Sequence, residues 1–353
     1  MDKNFFEKNP KKTLLFVIFI ALFVAGLVAE IYLRFTIPYD IGYYTAVKKE
    51  GLYSYPYGSI AINSEEFPDK EFDRSSTKPR IGYLGDSIIM GIGAGDGYRF
   101  SDLLEKDYQA YDHWTFAMMG NGLNEKSLYP TIKTYNLQTI VYGLNLNDFL
   151  PMAGYNGEPM AGQGQTLFEQ FIQTGLWLMR SSVDQLRGKS YLYTSLRLGI
   201  KNLITMAGYG HTGLKSVEFF PSKNKEIIQE LAHRINAVSN NLEKQGVSFC
   251  LVIFPYEMQI SGQAAKTYKE LGISWEEGFT EGSTQDILLE SLKIPYIYDG
   301  RQAFSKEDEA TEAGTYFVYN RGDKIDFNHP NRQGHERLAK SFESSKSCPF
   351  LSN

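Results

Sequence analysis

Asp326 and His329 stand three positions apart in the run DFNHPNRQGHERLA, just ahead of a helical pattern. A carboxylate and an imidazole at that spacing on a turn can point into one cleft. The carboxylate then fixes the tautomer of the imidazole and stabilises it once protonated, which is general-base chemistry. Pro330 pre-sets the backbone for the helix that follows. His335 falls within that helix and reads as a packing or surface histidine, while His113, His211 and His233 have no acidic companions of this kind. A nucleophile for the pair is offered by Ser87 in GDSIIMGIGAG, which follows a short apolar run on a strand-to-helix turn. A serine there is exposed, and its backbone N–H can face an oxyanion at a helix N-terminus. Gly91, Gly93 and Gly95 would also suit a phosphate loop, but no Gly-Lys-Ser/Thr follows, which argues against nucleotide binding.

Two more polar clusters close apolar runs. Gly120, followed by Asn121 and Gly122, ends HWTFAMMG, and Asn147 and Asp148 end LQTIVYGLNLND. Asn147 can donate its amide to a developing negative charge, although Asn and Asp at a strand end also serve as plain turn formers. In their order along the chain the four clusters resemble the SGNH, or GDSL, hydrolase family. The first block is similar to GYLGDSIIMG, which implies Ser87 as nucleophile and first oxyanion donor. The second-block glycine matches Gly120, with Gly122 as an alternative register. The third block, Gly-x-Asn-Asp in the family, matches NLND: the oxyanion asparagine falls on Asn147, and Asn145 replaces the glycine. The last block, Asp-x-x-His, falls on Asp326 and His329. The resemblance covers about Pro79 to Phe342. It implies a three-layer α/β/α, flavodoxin-like domain with a short parallel sheet, and a serine esterase or acyltransferase.

The elements needed to position these residues are legible as alternating patterns. RIGYLG, HWTFAMMG, LQTIVYGLNLND, VSFCLVIFP and YIYD read as short buried strands. FSDLLEKDY, NEKSLYPTIKTY, TQDILLESLKIP and NRQGHERLAKSFESS read as helices, with Pro130 expected in a first turn or at a kink. In NKEIIQELAHRINAVSNNLEKQG, Ile227, Ile228, Leu231, Ile235, Val238 and Leu242 fall on one helical face. Such alternation predicts a mostly parallel sheet covered on both faces, with ligands bound beyond the carboxyl ends of the strands. Residues 151–221 break the pattern and predict a helical insertion, either a layer on the sheet edge or a lid or membrane-facing patch. Residues 36–78, rich in Tyr, Pro and Gly, read as a juxtamembrane stalk that packs on the domain at 79–353.

The chain has 353 residues, 42% hydrophobic, and a net charge of −5, which suits a sizeable core and argues against nucleic acid as a partner. The cysteines are two, Cys250 and Cys348; Cys250 reads as a packed thiol in a strand, and their positions argue against a disulfide. No Cys-x-x-Cys pair or His/Cys cluster points to a metal, and no cofactor is expected. Residues 13–35 are apolar over nearly the ~20 residues needed to cross ~30 Å of hydrocarbon. Cleavage after Ala25 or Ala29 would place bulky Phe23 or Leu27 at the −3 position, so an uncleaved anchor is expected rather than a signal peptide. Lys3, Lys8, Lys11 and Lys12 precede the span, which predicts a cytoplasmic N-terminus (residues 1–12) and an extracytoplasmic domain, periplasmic in a Gram-negative cell. An envelope location makes O-acetyl groups on a surface or exported polysaccharide the first substrate to consider and lipid esters the second. A non-catalytic SGNH-fold subunit of a membrane assembly is the alternative of a different class.

Overall fold

A computed structural model describes residues 9–36, 47–49, 52–55, 58–118, 122–149, 190–193, 195–196, 217–270, 273–318 and 326–352. The first helix, α1 (Pro10–Thr36), has a mean hydropathy of 2.8 over its most apolar window and buries none of that window against protein, so it is a candidate membrane span by length and composition. Near its end, Glu30 accepts hydrogen bonds from the Ser190 hydroxyl at 2.8 Å and from the N–H groups of Tyr191 and Leu192 at 3.1 and 2.8 Å. Arg34 lies over the Tyr191 ring. The rest of the helical insertion expected at 151–221 lies outside the described residues, apart from its final few.

The segment read as an irregular stalk is more regular than its composition suggests. β1 (Val47–Lys49), β2 (Leu52–Tyr55) and β3 (Gly58–Ala61) form an antiparallel three-stranded sheet. The strands are only three or four residues long, too short for an alternating pattern to stand out. Ile60 of β3, and Phe72 beyond it, are buried in the two core clusters, and the buried Asp69 accepts from the Thr115 N–H.

The main sheet is parallel. It comprises β4 (Arg80–Gly85), β5 (Asp112–Thr115), β6 (Thr139–Asn145), β7 (Ser248–Phe254) and β8 (Ile297–Asp299), in the order β5-β4-β6-β7-β8. β6 is buried at every position, as its unbroken apolar run requires of a central parallel strand. Successive residues of β6 face opposite layers. Ile140, Tyr142 and Leu144 pack with Leu128 and Ile132 of α4 (Glu125–Tyr135) and with Ile228, Leu231 and Ile235 of α5 (Lys225–Glu243). Val141 packs with Ile88 of α2 (Ser87–Met90), Phe100 of α3 (Phe100–Asp107) and Leu338 and Phe342 of α8 (Arg332–Ser345). The result is three layers, α/β/α. α6 (Gly262–Glu270) and α7 (Ser283–Ser291) complete the first of these layers. The chain leaves β4 for β5 on one side and then crosses to β6 on the other. That reversal opens a crevice at the carboxyl ends of β4 and β6, where doubly wound sheets bind ligands.

Pro130 lies in the interior of α4, beyond its first turn, where a proline bends a helix. One sequence expectation is corrected here. Cys250 and Cys348 are bonded to each other, with Cα atoms 5.6 Å apart and no free cysteine remaining. The 98-residue separation conceals this pairing. α8 packs on the face of the sheet to which Cys250 points and delivers the fully buried Cys348 to it.

Candidate active site

β4 ends at Gly85, and Asp86 caps α2 by accepting the Ile88 N–H through Oδ1 at 2.9 Å. This places Ser87 at the first position of the helix, half-buried, at the carboxyl end of β4. The turn packs tightly against β6. A Cβ on Gly143 would come within 2.3 Å of Ile89 Cγ1 and 2.8 Å of the Phe254 ring, so only glycine lets α2 lie this close to the strand. The glycine-rich loop that follows touches the other half of the site. Gly93 has φ +96°, and a Cβ there would lie 2.6 Å from the Pro330 carbonyl oxygen.

Asp326 and His329 stand on a loop stabilised mainly by Asp326 itself. Its Oδ1 accepts from the N–H groups of Asn328 and His329 at 3.2 and 3.1 Å. Its Oδ2 lies 2.7 Å from His329 Nδ1. A carboxylate at that distance selects the tautomer with hydrogen on Nδ1, which leaves Nε2 as an acceptor. Nε2 lies 2.8 Å from Ser87 Oγ. Ser87, His329 and Asp326, 242 residues apart in the longest step, therefore form one hydrogen-bonded line. Asp326 is buried, and His329 is 7% exposed. Pro330 sits one place before the N-cap of α8, where Phe317 bridges to it; the cap is Asn331, whose side chain accepts from the Gly334 N–H. His335 is fully buried, and its Nδ1 accepts from the Phe100 N–H at 3.2 Å. Burial pushes its pKa down to about 3, so it is a neutral packing residue between α8 and α3.

Gly120 lies outside the described residues. Gly122, the alternative register, sits against Asp148: a Cβ there would be 3.4 Å from Asp148 Oδ1. Asn147 is half-buried, and its side-chain amide makes no hydrogen bond among the described residues. Its backbone N–H is 3.5 Å from Asn145 Oδ1.

Asn145 is fully buried and donates through Nδ2 to Asp86 Oδ2 at 2.7 Å. It thus joins the turn carrying Ser87 to the loop carrying Asn147. Asp148 Oδ2 accepts from the Tyr142 hydroxyl at 3.1 Å and the Asn145 N–H at 3.3 Å. Burial raises the Asp148 carboxyl well above its ordinary range, and the nearby Asp86 charge adds to this. Asp86 is itself raised by burial, against the bond from Ile88 and the proximity of His329. Two buried carboxyls that feel each other's charge cannot both ionise cheaply, so a charge on Asp86 opposes one on Asp148.

Sequence reasoning did not single out Glu257 or Tyr268, which lie behind the triad loop. The signal was a carboxylate directly after a buried strand, in FPYEMQ. Among the described residues there is no group of three or more His, Cys, Asp and Glu side chains able to hold a metal.

No family model matches the chain, and no curated protein matches it. Among solved structures it is similar to a lipolytic protein of the G-D-S-L family from Desulfitobacterium hafniense, at 9% identity and a TM-score of 0.34, over 76% of this chain and 99% of that one. A member of the lipolytic G-D-S-L family from Veillonella parvula gives 12% identity and a TM-score of 0.31, over 76% and 98% of the two chains. A catalytic mutant of an acetylxylan esterase from Geobacillus stearothermophilus gives 12% identity and a TM-score of 0.34, over 75% and 93%.

Proposed function

We propose that this chain is a membrane-anchored serine esterase or O-acyltransferase of the SGNH type, with Ser87 as nucleophile. The observation that carries the reading is the line from Ser87 Oγ to His329 Nε2 at 2.8 Å and from His329 Nδ1 to Asp326 Oδ2 at 2.7 Å. In the first half-reaction Ser87 Oγ attacks an ester carbonyl while its proton passes to His329 Nε2. Asp326 stabilises the imidazolium that forms. The N–H groups of Ser87 and Gly120 and the Asn147 amide bind the oxyanion. Collapse of the tetrahedral intermediate breaks the ester C–O bond, and His329 returns the proton to the departing alcohol. Water or a sugar hydroxyl then attacks the acyl-serine, its proton again going to His329, and Ser87 is regenerated. Exclusion of water by the bound acceptor decides between hydrolysis and transfer.

The substrate we favour is an O-acetyl group on a surface or exported polysaccharide. α1 supports this reading: it is long and apolar enough to hold the domain at a membrane, and the lysines before it favour an extracytoplasmic domain. One experiment tests chemistry and topology together. A membrane-impermeant fluorophosphonate added to intact spheroplasts is expected to label Ser87 on a membrane-bound product that retains Met1. Ser87→Ala should remove the label and the hydrolysis of p-nitrophenyl acetate, and His329→Ala should be nearly as damaging, because the two act as a unit. Turnover near wild type in either variant sinks the catalytic assignment. Labelling only after lysis sinks the topology.

A further inference from the structure

Behind the Asp326–His329 loop lies a buried acid that the hydrolytic cycle leaves unused. Glu257 follows β7 and is 2% exposed. Its Oε1 accepts the Gly314 N–H at 2.6 Å, and its Oε2 is hydrogen-bonded to the Tyr268 hydroxyl. Tyr268, fully buried on α6, also reaches the backbone carbonyl of Asp326 at 3.0 Å. The Glu257 N–H donates to the Phe327 carbonyl at 2.9 Å. Two successive carbonyls of the triad loop are thus held from one side.

Counting protons over these bonds favours one state of the network. A phenol carries one hydrogen. The Asp326 carbonyl only accepts, and an ionised Glu257 would only accept, so both would compete for the single Tyr268 proton. With its own proton on Oε2, Glu257 donates to the Tyr268 oxygen, and Tyr268 donates to the Asp326 carbonyl. Both bonds are then complete. Charge favours the same state, because Asp326 accepts hydrogen bonds through both carboxylate oxygens and serves as the anion beside His329. A second buried anion behind it is opposed.

We propose that Glu257 is a positioning residue for the esterase chemistry: as a neutral acid it donates through Tyr268 to the Asp326 carbonyl and keeps the Asp326–His329 loop in register with Ser87. The inference rests on the esterase reading of the same site. Burial holds the Glu257 carboxyl up at about 7, with the Asp326 charge adding to this and the Gly314 N–H opposing it. Among the described residues, the titratable groups facing it are Tyr268 from α6 and Asp326 from the triad loop. An acid raised in this way is neutral below about pH 7 and charged above it. Its support of the loop is therefore present on the acid side and lost as the pH rises through that value.

The test uses the full-length chain in detergent, with kcat and KM for p-nitrophenyl acetate measured from about pH 6 to 9. Wild type is expected to lose about tenfold in kcat across the alkaline limb. Glu257→Gln carries a permanent N–H donor, so it should match wild type on the acid side and lack that limb. Tyr268→Phe should lower kcat about tenfold at pH 6.5 with KM unchanged, since the loop is misplaced and substrate binding is not. Retention of the wild-type alkaline limb in Glu257→Gln overturns the proposal. So does an inactive but folded Glu257→Gln, or full kcat in Tyr268→Phe. A readout that needs no turnover is the low-field proton resonance of His329 Nδ1–H, expected to persist in Glu257→Gln and to shift in Tyr268→Phe. If Ser87→Ala retains turnover, the esterase reading fails, while this resonance still reports on Glu257; an unmoved resonance in Tyr268→Phe overturns the positioning role alone.

Discussion

Ser87 is held by the end of a central strand and by glycines that let backbone and core side chains close around it, whereas His329 is held by side chains that reach its loop from elsewhere. On the nucleophile side the constraints are the Asp86 cap on α2 and the contact of Ile89 with Gly143. On the acid–base side the Asp326 carboxylate folds its own loop, and Tyr268 and the Glu257 backbone hold its carbonyls. The Val318 N–H takes the His329 carbonyl at 2.8 Å, and Asn331 Nδ2 reaches the carbonyls of Gly314 and Thr315 at 3.1 Å each. The first arm is fixed by packing and tolerates no added volume. The second is fixed by polar bonds and depends on the elements that carry them staying in place.

The disulfide offers the largest test of that contrast. Cys348 follows α8, the helix that continues from the His329 loop, and Cys250 is a central residue of β7. The bond ties the acid–base arm to the sheet through its following helix. Closing a loop of 98 residues limits the unfolded chain enough to contribute about 4.7 kcal/mol. Replacing both cysteines by serine is expected to lower the unfolding free energy by about that amount, read as a lower urea midpoint with a higher m-value, because the unlinked unfolded chain exposes more surface. An unchanged midpoint would mean that packing of Phe342 and Phe350 alone secures the helix.

Gly143→Ala probes the other arm and should cost less. The new Cβ meets Ile89 and Phe254 at 2.3 and 2.8 Å, inside a close-packed core. Overpacking of this kind costs about 1–3 kcal/mol. Because Ile89 belongs to the short helix that begins at Ser87, kcat should fall along with stability. A second substitution, Ile89→Ala, makes room for the methyl group, so a double-mutant cycle should show strong coupling between the two sites. Additive effects would separate the Gly143 contact from the position of α2.

The same contrast explains what could be read before any coordinates. The parallel sheet, its two helical layers and the Ser87 turn follow from apolar runs alternating with helical patterns, because buried parallel strands and tight turns leave compositional marks. Asp326 and His329 were legible because both lie on one short turn. Glu257 and Tyr268 were not, because their role depends on β7, α6 and the triad loop meeting in space, which no local pattern records. The Cys250–Cys348 bond was misread for the same reason: a strand cysteine and a C-terminal one carry no mark of the helix that brings them together. The β1–β3 sheet escaped notice because its strands are too short to show a period.

Asn145 lies where the two modes of support meet, and the smallest expected effect belongs to it. A glycine in its place could neither donate to Asp86 nor accept from the Asn147 N–H. Here Asn145 Nδ2 holds Asp86 at 2.7 Å, and its Oδ1 is 3.5 Å from Asn147 N. A side chain has taken over part of the coupling between the serine turn and the asparagine loop. Removing a buried donor to a carboxylate costs about 1.5–3 kcal/mol when the partner stays unpaired. Asp86 keeps its bond from the Ile88 N–H and can take up a proton, so the lower end applies. Asn145→Gly should therefore lower kcat for p-nitrophenyl acetate about tenfold, equivalent to about 1.4 kcal/mol, with little change in KM. The comparison is sharpened by Asn147→Ala, which removes the amide assigned to the oxyanion and should cost on the order of 10²–10³ in kcat. If Asn145 acts by placing Asn147, Asn145→Gly should cost almost nothing further once Asn147 is alanine. A full tenfold loss in that background would assign the effect to Asp86 and the serine turn instead.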